Sequence, residues 1–326
     1  MQKAELISHS AFFLLHFSFL TIMPANPNRT ASGYPSNTLT RSPNSPRTLF
    51  GTLMTGLTFS AAAIALLPLV AVLSYVIIKG ASRINLGVFT ELPPVALQAG
   101  GGFGNAIQGT LIMVAFGALI SIPVGVLAAV YVSEFAAGTQ FASWIRFFTN
   151  VLSGVPSIIV GVFAYGVFVL TTKNYSAFAG GFALSVLMLP IIVRATEESL
   201  KLVPQETRQG ALGLGATNFQ TVARVVLPAA LPAIVTGTTL AVARAAGETA
   251  PLLFTALFSQ YYLPITQNGV EALNQPAASL AVLVYNFATR PYENQKELAW
   301  AAALILVLLV LLTSIISRFA TARKVY

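Results

Sequence analysis

The chain of 326 residues contains no cysteine and no aspartate, and its only two histidines are His9 and His16. Without cysteine there is no disulfide framework and no thiolate metal site, and two imidazoles in the N-terminal segment cannot furnish ordinary zinc chemistry. Lys, Arg and Glu together make 9% of the residues, against roughly 25% charged in a typical soluble domain. A water-facing surface cannot be built from so few charges, which argues against a soluble enzyme. There is no Gly-Lys dipeptide, so the chain has no G-x-x-x-x-G-K-[ST] loop with which to bind ATP. It has no H-E-x-x-H segment either, and its few polar residues suggest no nucleophile–base set.

What is present is apolar. Hydrophobic residues make 56% of the chain, far too many for a disordered protein. The charges are unevenly placed. Uncharged stretches of 31, 42, 26, 20, 19 and 20 residues lie between Arg47 and Lys79, Glu91 and Glu134, Arg146 and Lys173, Lys173 and Arg194, Arg224 and Arg244, and Glu297 and Arg318. A helix needs about 20 apolar residues to cross a hydrocarbon core of ~30 Å. Backbone groups in lipid must bond within their own segment, so these stretches predict helices. The alternation expected of barrel strands is missing. The fold class expected is an all-α membrane protein with six transmembrane helices, at about 52–78, 105–132, 148–171, 176–193, 229–258 and 298–317. The fifth is too long for a straight crossing and contains Arg244, Glu248 and Pro251, so it is expected to tilt, kink or break.

Residues 1–48 differ in composition. Residues 11–23 are an apolar run of 13, short for a span, with no clear A-x-A cleavage site after it; Met23 could serve as a second start. Residues 24–48 are rich in Pro, Asn, Ser and Thr, the composition of a disordered tail. The membrane domain is expected to occupy 49–326. With the N-terminus inside, the inner segments hold 12 Lys and Arg residues and the outer segments 5, so both termini are expected to be cytoplasmic. The formal charge of +8 is then mainly a topology signal. The basic residues do not cluster, so no nucleic-acid partner is expected.

The segment 194–228 is the longest inner loop, and it holds seven charges. Pro204 suits the first turn of a helix. Gly213 and Gly215 interrupt the pattern, and Thr217 with Gln220 has capping-box spacing. Phe219, Val222 and Val226 recur at helical spacing as a narrow apolar stripe, and Pro228 is expected to end the unit. This spells helix, glycine turn, helix, with an apolar face that packs either on the chain's own membrane domain or in a groove of another subunit. Glycine at the turn permits backbone angles that a side chain resists.

Residues 209–228, QGALGLGATNFQTVARVVLP, resemble the EAA loop of ABC-importer permeases. Gln209, Gly210 and Ala211 stand at the E-A-A positions, Gly215 at the glycine, and Val225, Val226, Leu227 and Pro228 at the end. Gln209 and Gly210 depart from the pattern, and Glu206, one turn earlier, offers a substitute acid. The resemblance implies type I permease architecture, in which Gln209, Gly210, Ala211, Gly215, Phe219, Leu227 and Pro228 would form the element that sits on an ATPase subunit.

Arg244 and Glu248 lie four residues apart in an apolar stretch, on one helical face. An intramembrane charge is costly, by about 2.5–3.5 kcal/mol on insertion scales. The two either neutralise each other and hold helices together, or line a polar route in which the guanidinium meets an oxyanion at two points. The run RAAGETAPLLF (244–254) resembles the PstA-type permease subunits of phosphate-specific ABC importers, as do GGFGNAIQGTL (101–111), SGVPSIIVGVFAYG (153–166) and LPIIVRATEESLKLVPQ (189–205). The similarity covers residues 50–320. It implies a subunit forming half of a phosphate pore, with Arg244 and Glu248 on the route. The partners implied are a PstC-type permease, a PstB-type ATPase dimer and a PstS-type binding protein, besides the lipid bilayer. The chain itself would bind no cofactor; ATP and Mg would be used by the ATPase. Arg194 is either a topology anchor or a further pathway residue, with Glu197 and Glu198 within pairing reach. Gly154, Pro156 and Ser157 are expected to bend or closely pack the third span. Two other functions remain open: a permease for another oxyanion, and a secondary transporter or channel needing no ATPase.

Overall fold

A computed structural model describes residues 46–322. His9, His16, the apolar run 11–23, most of the Pro- and Ser-rich segment, Arg323 and Lys324 lie outside the described residues. The principal helices are α1 (Pro46–Ala81), α2 (Gly104–Val130), α3 (Gln140–Gly154), α4 (Ser157–Ala164), α5 (Ala177–Lys201), α6 (Gln205–Gly213), α7 (Leu227–Ala246), α8 (Ala250–Thr255), α9 (Leu280–Ala288) and α10 (Glu293–Ala322). The chain divides into two compact units, residues 1–66 and 67–326. The described part of the first unit is helical from Pro46 onward, so residues 46–48 belong to α1 and not to a disordered tail. Helices α2 to α10 lie wholly in the second unit.

Among the described residues, five helices are long and apolar enough to cross a membrane, and a bent pair makes a sixth crossing if counted as one. The bent pair corrects the third expected span. Residues 148–171 are not one helix: α3 ends at Gly154, and the helical segment from Ser157 to Thr172 leaves it at 104°. Pro156 has no N–H for the carbonyl of Leu152, and its ring pushes Val155 out of the helical region, to φ −73° and ψ 128°. Gly154 has open space around the position of a Cβ, so the break comes from proline and not from close packing there. Close packing occurs at Gly161, where a Cβ would stand 2.6 Å from Cα of Pro251.

The fifth span is broken as well. α7 ends at Ala246, Gly247 caps it, and α8 restarts at Ala250 with Pro251 in its first turn. Pro251 suits a first turn, where its N–H would have no partner. At the other end of α7, Pro228 does not terminate the loop. The helix starting at Asn218 passes through a π turn, Val222–Val226, into α7. The wide turn absorbs the missing Pro228 donor, so proline reshapes the helix without ending it.

α5 is the central element, with most of its residues buried. It packs on α2 along a strict four-residue ladder. Gly109, Met113, Gly117, Ser121, Gly125 and Ala129 are all buried, and Cβ atoms at Gly117 and Gly125 would meet Gly181 and Ile192. Apolar side chains gain nothing by leaving lipid for a helix interface, so close backbone approach over small residues supplies the contact energy. At the end opposite the 194–228 loop, the GGFGNAIQGTL run stitches the bundle together. Asn105 donates to the Ser259 carbonyl at 2.8 Å. Gln108 bonds both backbone groups of Leu263, and the Thr110 hydroxyl accepts from Leu280 N–H at 2.8 Å. A Cβ at Gly109 would run into the Ala278 carbonyl. Gly109→Val is therefore expected to lower stability by about 1–3 kcal/mol. Gly51→Val in α1, where a Cβ meets nothing within 4 Å, should leave it unchanged. Thermal unfolding in detergent and membrane abundance would check both.

Candidate coupling loop and polar pathway

The loop has the expected helix–turn–helix form. α6 begins after Pro204. It ends in a Schellman-type close: Gly215 N–H donates to Leu212 O at 2.9 Å and Ala216 N–H to Ala211 O at 3.2 Å. Gly215 holds φ +88°, in the region where a side chain is strained. The next helix starts on a complete capping box. Thr217 Oγ accepts from Gln220 N–H at 3.2 Å, and Thr217 N–H donates to Gln220 Oε1 at 2.9 Å.

The apolar stripe divides. Val222 and Val226 are buried, Val226 against Leu200, Val203, Ala230 and Ile234 with Leu227 beside it. Phe219 stays 69% exposed, near the turn where Leu214 is 92% exposed. Part of the face therefore packs on the chain itself, and the tip is left bare. Gln209 and Gly210 are exposed, Ala211 is half-buried and Pro228 is exposed.

Arg244 sits in the last turn of α7, where a cation is favoured by the helix dipole. Its Nε lies 3.6 Å from Glu248 Oε1, across the break at Gly247. The two side chains differ in setting: Arg244 is 63% exposed and Glu248 16%. The ion pair is long, and most of the guanidinium surface is left uncovered by the rest of the chain.

Arg194 is exposed and donates to Asn150 Oδ1 at 2.5 Å, joining α5 to α3. The expected pairing with Glu197 and Glu198 is not made. Glu197 instead accepts from Arg146 Nε at 2.9 Å and lies 3.4 Å from Lys201, while Glu198 pairs with Lys201 at 2.9 Å. Both side chains reach α3, but Glu197 is buried and meets Arg146, whereas Arg194 is exposed and meets Asn150. The structure does not bring Arg194 into contact with Arg244 or Glu248. Ala195, its neighbour, lies against Gly237 of α7. Arg244 is seven residues beyond Gly237, about 10 Å along the helix.

A pair that sequence reasoning missed is Glu134 with Arg208. Glu134, in a π turn (Tyr131–Phe135) that continues α2, forms an ion pair with Arg208 of α6, and both side chains are largely buried. The signal was available: Glu134 is the first charge after 42 uncharged residues.

A bundle of long apolar helices, with a short helix pair outside it and an exposed arginine at a break within it, defines the membrane component of a transporter. Residues 121–325 match the family described as the binding-protein-dependent transport system inner membrane component, and the chain belongs to that family. It is a multi-pass protein of the inner membrane, a permease subunit that works with partner subunits and is not itself an enzyme. A relative from Haemophilus influenzae, named phosphate transport system permease protein PstA, is 39% identical over 83% of this chain and 94% of its own. The Yersinia pestis protein of the same name is 38% identical over 78% and 84%. Among solved structures, a chain of a bacterial alginate ABC transporter aligns with TM-score 0.53 and 15% identity, over 85% of this chain and 95% of its own. A chain of the inward-facing MetNI methionine ABC transporter aligns with TM-score 0.52 and 22% identity, over 68% and 94%. These two likenesses concern the fold.

Proposed function

We propose that this chain is one membrane subunit of an ATP-driven importer of inorganic phosphate. In this reading it forms half of the pore with a homologous PstC-type permease. A PstB-type ATPase dimer docks on the 194–228 loop, and a PstS-type protein delivers the anion. The observation that carries the reading is the extent of likeness to relatives named phosphate permeases, at 38% and 39% identity over most of both chains. The geometry supports it: Arg244 offers an exposed guanidinium at a helix break, and guanidinium matches phosphate oxygens in two-point geometry. Glu248 orients Arg244 and limits how tightly it holds an anion that must leave again. Residues 49–326 form the membrane domain. Uptake of labelled phosphate into vesicles, with and without the ATPase subunit, is the test. The expected result is ATP-dependent uptake that excess sulfate or molybdate leaves intact. Uptake without ATPase would favour a secondary transporter, and competition by another oxyanion would reassign the substrate.

The 12-to-5 excess of Lys and Arg supports a topology with the loop and both termini in the cytoplasm. Single cysteines can be read without background in this chain. Val270 and Leu214, 80% and 92% exposed, are suitable sites. In intact cells whose outer membrane has been permeabilised, Val270→Cys is expected to react with an impermeant maleimide and Leu214→Cys is not. The reverse pattern would invert the topology.

A further inference from the structure

No apolar side chain of the coupling helix α6 is fully buried, and Ala211 is half-buried, so apolar packing holds it only weakly, against the next turns of its own loop, Asn218–Val226. Its polar attachment to other helices runs through Arg208. One guanidinium nitrogen pairs with Glu134 in the π turn at the end of α2, and the other donates to the Leu200 carbonyl at 2.7 Å, in the last turn of α5. The carbonyls of a helix's last turn lack intrahelical partners and attract cations, so one side chain bridges α6, α2 and α5. Glu134 and Arg208 are 7% and 15% exposed. A charge pair shielded from water is far less screened than a surface one, and removing either partner strands the other.

A second contact set beside it holds α3 to the same end. Arg146 donates to the Val132 carbonyl at 3.3 Å and to Glu197 at 2.9 Å. It fixes the π turn from the other side, so that a pull on Glu134 moves α2 together with α3 and does not merely bend the turn. By sequence, α6 adjoins only α5 and, through the glycine turn, α7. The pair at Arg208 adds α2, whose buried ladder meets α5 at Gly181 and Ile192.

We infer that Arg208 and Glu134 form a strut that passes movement of the coupling helix directly to α2. Arg208 is thus a positioning residue for transport, one step outside the surface that would meet an ATPase. The inference rests on the proposed function in taking the 194–228 loop as the ATPase contact.

The test uses the full chain assembled with its partner permease and ATPase in nanodiscs. Nitroxide labels on cysteines at the exposed positions Gln140 and Gln205 report the distance to α6 from the start of α3, which Arg146 ties to the π turn at the end of α2. The wild-type background is expected to give a narrow distance distribution, and the isosteric Glu134→Gln variant a broad one. At equal complex yield, Glu134→Gln is expected to raise the ATP hydrolysed per phosphate moved by roughly twofold or more. The double variant Glu134→Gln with Arg208→Gln should raise it no further, because a broken strut cannot break twice. A distribution that stays narrow in Glu134→Gln overturns the inference. So does a broad one with an unchanged ATP-to-phosphate ratio, which would leave the pair as a structural tie, and so do additive effects of the two changes. A wild-type chain that binds no ATPase would count against the proposed function and not against the strut, whose distance readout can be taken without the ATPase.

Discussion

Arg244→Gln is expected to abolish phosphate uptake while leaving membrane abundance unchanged. The side chain is 63% exposed and its ion pair is long, at 3.6 Å, so few contacts within the chain are lost when the charge goes. If the guanidinium holds a dehydrated anion, losing it costs about 2–5 kcal/mol, roughly 30-fold in rate or more. Arg244→Lys should fail in large part, since an ammonium is a point charge and cannot reproduce the planar fork. Glu248 is the more buried partner, at 16%, so Glu248→Gln tests the opposite assignment, a pair that serves as glue. Under that assignment each single change lowers abundance, and Arg244→Gln with Glu248→Gln restores both abundance and uptake. Membrane abundance and labelled phosphate uptake for these variants separate the two. Recovery in the double variant would remove Arg244 and Glu248 from the anion route.

Gly215→Val is expected to disconnect the ATPase from the pore. Nothing lies within 4 Å of a Cβ at this position, so the damage comes from the backbone alone: φ is +88°, which a β-branched residue resists by about 1–2 kcal/mol or more. The turn must open, and the Schellman close and the capping box beyond it move with it. Gly213→Ala is the internal control. That glycine has neither a positive φ nor a neighbour near its Cβ position, and alanine is a better helix former. Phe219→Asp approaches the same end from the surface. A ring 69% exposed contributes little to folding, so loss of ATPase co-purification with normal abundance would mark it as a docking contact. Wild-type co-purification and uptake in both Gly215→Val and Phe219→Asp would remove this loop from the coupling pathway.

Much of this was legible because membrane insertion writes itself plainly in sequence. A stretch such as 92–133, with no charge inside it, has few places to go but lipid for most of its length, and helices satisfy their own backbone there. The glycine turn and the capping box were equally readable, since φ > 0 and an orphan N–H each call for particular residues at fixed spacing. What stayed hidden depended on how proline was accommodated. Pro156 breaks a span, Pro228 only widens a turn, and Pro123 and Pro190 sit inside intact helices. Neighbouring helices and local π adjustment decide among these outcomes, and one sequence does not carry that information. The ion pairs were hidden for a related reason. Glu197 had a basic residue three positions away on its own helix and another on α3. Only the direction of the side chain selects Arg146 over Arg194. The small-residue ladder of α2 could have been found from its repeat of four, but a ladder does not name the helix it meets.

That ladder has a mechanical meaning. At Gly117 and Gly125 the glycine backbone rests directly on Gly181 and Ile192, and a slip of one residue would put a side chain where only hydrogen fits. α2 and α5 therefore behave as one girder, and a change of access cannot be hinged along it. The chain has instead left its helices at Val155–Pro156 and at Gly247–Thr249, with α4 and α8 lying against each other beyond the two gaps. Leu252 of α8 shares a core with Met113 of α2 and Leu184 and Met188 of α5, so the two gaps re-aim short helices against the girder without detaching them from it.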